Sequence, residues 1–167
     1  MISIGIAAAP RLASPPVIRF VDWDRRLRAW IDGAQSRRFI WGEWDCCLAM
    51  ADAVRTMTGV DVADRVRGKY GGKMAPSENA LDVAKLIMRL TGVATFEGAV
   101  AAEITLHGLP EIRPQFAQRG DVAMGDGPDG PTWGIVDLTG ARALFALAPR
   151  GLQWIALAKC RRAWKVG

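Results

Sequence analysis

Apolar residues recur at helical spacing from Val21 to Gln35. Trp23, Leu27, Trp30, Ile31 and Ala34 fall on one face, with Arg25, Arg26, Arg28 and Asp32 opposite. A second helix is predicted from Asp45, an N-cap, to Gly59, a C-cap. Its stripe is Cys47, Met50, Ala51, Val54 and Met57, which turns Cys46 away from the core toward a cleft above the helix start. The polar, Gly-rich stretch 60–76 reads as a short helix and a loop. A third helix runs from Ser77 to Gly92, with Val83, Leu86, Ile87 and Leu90 inward, and a weaker one spans Phe96 to Ile104. His107 to Arg119, broken by Pro110 and Pro114, reads as loop.

Beyond Asp121 the period shortens to that of strands. Asp121–Met124, Thr132–Leu138, Ala141–Leu147, Leu152–Leu157 and Cys160–Val166 are separated by turns, among them Asp126–Pro131 and Pro149–Gly151. Helices followed by an antiparallel meander predict the α+β class. Residues 1–18, interrupted by Pro10, Pro15 and Pro16, read as an extended arm that docks on something. Residues 19–167 read as one domain.

Half of the 167 residues are hydrophobic, so a substantial core is available. No apolar run approaches the roughly 18 residues of a membrane span. Arg142, Arg150, Lys159, Arg161, Arg162 and Lys165 follow Asp137 with no acidic residue after it. This basic end is expected to be a solvated sheet face. Without a long basic stripe interleaved with aromatics, it does not fit dedicated nucleic-acid binding. Three cysteines, two of them adjacent, do not make a disulfide framework and suit a reducing cytoplasm.

The chemistry is concentrated in Phe39–Met50, where an aromatic turn leads through Asp45 into Cys46 and Cys47. A thiol in the first turn of a helix meets the positive end of the macrodipole and unpaired N–H groups, both of which favour thiolate. Cys46 is therefore the candidate nucleophile, while Cys47 and Cys160 are expected in the core. A cysteine hydrolase also needs a base. The single histidine, His107, reads as an exposed loop residue. A metal site from Cys46, Cys47, Cys160 and His107 is disfavoured, because adjacent ligands on one helical turn diverge and no CxxC spacing is present. Neither a metal nor a cofactor is expected.

The Trp41-Gly42-x-x-Asp45-Cys46 segment, the Gly120-Asp121 pair and the Gly134-Ile135-Val136 strand resemble the NlpC superfamily of papain-like cysteine peptidases, many of which cut cell-wall peptides. Trp23–Ile31, Phe39–Leu48 and Cys160–Trp164 together are similar to a branch of small phage and prophage proteins encoded among tail genes. The resemblance covers roughly residues 20–166. It implies a papain-like fold with Cys46 at the nucleophile position and Asp45 at the helix N-cap. The family histidine precedes a Gly-Ile pair by two residues, a position held here by Thr132. The family's third polar residue falls near Phe145 and Ala146, which are apolar. The resemblance thus implies a peptidase domain kept for its shape. Such a domain would sit in a virion tail tip or baseplate, made in the host bacterial cytoplasm. Its expected partners are tail hub, distal tail or fibre proteins. The alternative is an active hydrolase of peptidoglycan peptides using Cys46, with His107, Asp45 or Asp137 as its base.

Overall fold

The computed structural model describes residues 14–167. Four helices precede a six-stranded antiparallel sheet: α1 (Trp23–Ala34), α2 (Cys46–Thr58), α3 (Pro76–Thr91) and α4 (Phe96–Leu106), then β1 (Glu111–Ile112), β2 (Val122–Gly127), β3 (Gly130–Val136), β4 (Arg142–Leu147), β5 (Gly151–Ala156) and β6 (Arg162–Trp164). The α+β class expected from the pattern is the architecture observed. No described helix is long and apolar enough to cross a membrane.

Local chemistry explains the ends of α2. Asp45 accepts the Leu48 N–H at 3.0 Å, and Gly59 closes the helix with φ 79°. Gly92 closes α3 in the same way, while Pro76 opens it at a position that needs no N–H. Helix α2 is the central one. Leu48, Ala49, Met50, Ala51, Ala53, Val54 and Met57 are all buried, because α1 packs on one side and β3 and β4 on another. The predicted single stripe is therefore too narrow, and its member Cys47 is only partly buried.

The strand order is β1-β6-β2-β3-β4-β5. Strands β2 to β5 form the expected meander. The last strand does not extend it: β6 returns to pair with β2 through Ala123↔Ala163 and shields that edge. Asp126–Pro131 is mostly strand, with Gly127 paired to Gly130 around Pro128 and Asp129. Sequence reading overlooked β1, which is too short to carry a period. Residues 60–76 contain turns and no helix.

The sheet is buried on both faces. Toward the helices, Val122, Met124, Trp133, Ile135 and Trp164 join the α2 and α4 side chains in the main core. Behind it, Ala123, Val136, Ala143, Phe145, Cys160 and Ala163 form a second cluster. Cys160 is buried there as expected, and burial pushes its thiol up to about 11. A Cβ at Gly134 would lie 2.1 Å from the Leu144 carbonyl oxygen, so only glycine allows β3 and β4 to pack this closely.

The chain ends converge on Asp121, which is fully buried. Its carboxylate accepts from Arg19 Nη2 at 2.8 Å, Gln118 N at 2.9 Å and Val166 N at 3.0 Å. Residues 1–13 of the expected arm lie outside the described residues. Its last part docks on this domain itself: Ser14 N–H donates to Leu106 O, and Val17 is buried against the core. The basic end is largely ion-paired. Arg161 meets Asp126 and Glu97, Arg162 meets Glu111, and Arg142 meets Asp137, leaving no broad uncompensated patch from these residues.

Candidate functional site

The start of α2 forms one wall of a cleft of about 760 Å³. The aromatic connection supplies Phe39 and Trp41, α3 supplies Leu81, and α4 supplies Phe96. The β2–β3 hairpin and the end of β4 complete it with Pro131, Thr132 and Leu147. Two loops cross tightly at one side. Cβ atoms at Gly42 or Gly71 would meet the Tyr70 or Trp41 carbonyl oxygens at 2.2 and 2.5 Å, so glycine at both positions lets Tyr70 swing over the helix start.

Asp45 organises this end. It is 1% exposed, and its carboxylate accepts from Leu48 N at 3.0 Å, Gly42 N at 3.0 Å and the Tyr70 hydroxyl at 2.5 Å. Burial pushes its carboxyl above the usual range, against the opposing pull of these donors. Burial and the Asp45 carboxylate push the Tyr70 hydroxyl far up, so Tyr70 remains a donor. Asp45 is thus a cap and an anchor, with its oxygens already committed.

Cys46 and Cys47 are both partly exposed to the cleft, with their sulfurs 4.0 Å apart. This corrects the expectation that Cys47 is pure core and that neighbouring thiols on one turn must diverge. The pair favours a single proton held on Cys47. Hydrogen bonding from Cys47 holds Cys46 below the ordinary thiol range, helped by the Thr132 hydroxyl and the Trp133 backbone N–H, while burial and the nearby Asp45 charge oppose it. The same contact, with burial, pushes Cys47 well above that range.

Thr132 stands beside Cys46, on the strand that faces the helix start. Its hydroxyl is buried and has no well-formed hydrogen-bond partner. It can polarise a thiol but cannot take its proton near neutral pH. Phe145 is buried behind the sheet and Ala146 lines the cleft, so neither orients a base.

His107 corrects the expectation of an exposed loop histidine. It caps the far end of α4 and is 7% exposed. Nδ1 lies 2.8 Å from Glu103 O and Nε2 lies 2.9 Å from Asp64 Oδ1. It does not line the cleft, whose α4 contribution is Phe96 at the helix start. The 11 residues of α4 separate the two by about 16 Å at 1.5 Å per residue. Asp137, another candidate base, is held by Arg142 at 2.8 Å and is also outside the cleft lining.

The structure does not bring Cys46, Cys47, Cys160 and His107 together. The ligand atoms of Asp64, Glu103 and His107 do lie within 4.8 Å of one another. Each has a protein partner: Arg65 binds both Glu103 oxygens, at 2.8 and 2.6 Å, and His107 bridges to Asp64. This cluster is a structural clamp on the end of α4.

A family model matches residues 18–166. The chain belongs to the DUF6950 family, a domain of unknown function. No curated protein matches it. The DUF6950 match includes every cleft residue named above. Sequence reading missed Tyr70, Asp129 and the enclosing role of Phe39 and Trp41. Only the glycines flanking Tyr70 and the aromatic run before Asp45 hinted at them.

Proposed function

We propose that this protein is a structural or assembly component of a tail tip or baseplate, in a phage or phage-like particle. It is built on an NlpC-type, papain-like cysteine peptidase fold that lacks its catalytic base. The observation that carries the loss of catalysis is Thr132 beside Cys46, where the resemblance expects histidine. Among the described cleft-lining residues there is no histidine, lysine or arginine. Asp45 is tied to the helix cap and Tyr70, and Asp129 is an exposed turn carboxylate. Without a paired base, acyl transfer loses orders of magnitude in rate. The tail assignment rests on the combined resemblance of Trp23–Ile31, Phe39–Leu48 and Cys160–Trp164 to tail-gene proteins. Its expected partners are tail hub, distal tail or fibre proteins.

One observation favours a second reading, an active cysteine hydrolase of cell-wall peptides. Cys46 is held toward thiolate by Cys47, Thr132 and the Trp133 N–H. The two are separated by testing Cys46→Ala. Normal particle assembly and infectivity with that variant, together with no peptidoglycan cleavage by the unmodified protein, are the expected results. Cleavage that disappears in Cys46→Ala overturns the proposal.

A further inference from the structure

We infer that the cleft over Cys46 receives an apolar, uncharged or basic stretch of a partner polypeptide and rejects acidic peptides. This rests on the reading of the cleft as a retained binding surface and names the chemistry of what it binds. The volume of about 760 Å³ is that of a ligand site, and its walls are chiefly Phe39, Trp41, Leu81, Phe96, Pro131 and Leu147. Every ionisable group in the lining is neutral or negative: Asp45, Cys46, Cys47, Tyr70 and Asp129, with no cation among the described lining residues. A carboxylate entering here would shed water and meet neither lysine nor arginine. It would instead face the thiolate-prone Cys46 and the Asp129 carboxylate.

Two polar groups point independently to a polar contact with a ligand. Thr132 is 3% exposed, and its hydroxyl is unpartnered although it lines the cleft. Trp41 Nε1 is also buried without a partner. Buried polar groups are normally satisfied, so both are positioned for the amide groups of an extended chain. Asp129, exposed on the β2–β3 hairpin, complements a basic side chain at the mouth. A polypeptide therefore suits the cleft better than a polyanion or an acidic stem peptide.

Cys46 itself reports the charge preference. In a Cys47→Ala background, Cys46 is modified with methanethiosulfonates bearing an ethylammonium, a methyl or an ethylsulfonate group, with 2-mercaptoethanol as the reference thiol. The cation-to-anion rate ratio is expected to exceed the reference ratio by roughly tenfold, and Asp129→Lys is expected to reverse much of that excess. A ratio at or below the reference overturns the inference. In a second arm, peptides compete with the neutral reagent. An acetylated, amidated pentapeptide with leucine, lysine and phenylalanine at its centre is expected to protect Cys46. Its glutamate counterpart and the cell-wall tripeptide L-alanyl-D-glutamyl-diaminopimelate are expected to be about tenfold weaker or inert. No protection by the lysine peptide, or equal protection by the tripeptide, overturns the inference. Protection by the tripeptide without cleavage defeats only this inference. Its cleavage, lost in Cys46→Ala, defeats the proposed function as well.

Discussion

The Cys46 cleft and the His107 clamp each hold half of a hydrolytic pair. The cleft has a thiol held toward thiolate, an adjacent hydroxyl and space for a ligand, but no base. The clamp has an imidazole aligned by Asp64 and backed by Glu103, as a catalytic histidine might be. It has no nucleophile and is buried against α4. The difference lies in satisfaction of hydrogen bonds. Around His107 the polar atoms are paired, which gives rigidity. Around Cys46, Thr132 Oγ1 and Trp41 Nε1 are unpaired, which marks a surface for something else.

The strongest way to break this contrast is to give the cleft its missing half. Thr132→His should place an imidazole against Cys46 and raise its alkylation rate at about pH 6 by roughly 10- to 100-fold. An unchanged rate would refute the assignment of Thr132 to the base position. Next in size, His107→Ala should lower unfolding free energy by about 2–4 kcal/mol, through lost packing and two stranded acceptors. Denaturant titration checks this, and Cys46 alkylation should remain unchanged. A clear drop in that reactivity would mean the two regions are coupled.

Asp45→Ala should cost about 2–3 kcal/mol, combining a lost helix cap with the stranded Tyr70 hydroxyl. Its pH signature follows from the raised carboxyl pKa. The folded state binds this proton more tightly than the unfolded chain. The resulting stabilisation is full below the unfolded value of about 3.9 and is lost as pH rises through the higher folded value. Asp45→Asn should flatten that part of a stability-against-pH curve measured by urea midpoints. The smallest effect belongs to Thr132→Val. With one donor gone, the Cys46 pKa should rise and alkylation at neutral pH should slow by roughly two- to threefold. Stability should change by less than about 1 kcal/mol, since the hydroxyl removed has no geometric partner.

Much of the helical half was legible because its signals are local. Asp45 and Gly59 bracket α2, Pro76 and Gly92 bracket α3, and both work through atoms a few residues away. The strands were legible as segments but not in their order. Nothing in Cys160–Val166 announces that β6 skips the meander to pair with β2; that choice depends on Ala123 and Ala163 fitting across the ladder. His107 was misplaced for a related reason. A lone histidine after a helix looks exposed until Asp64 is brought to its ring from a distant turn. Only the Glu103–His107 spacing of four residues hinted at a shared helix face.

The sequence by itself determined the α+β class, the capped start of α2 and the presence of Cys46 in its first turn. These follow from periodicity, capping and the helix dipole, all effects of short range. Tertiary structure alone decided that Thr132 meets Cys46, that Cys47 shares the cleft and its proton, and that the only imidazole lies at the other end of α4. Those outcomes depend on which distant surfaces pack together, and packing is fixed by the shapes of many side chains at once.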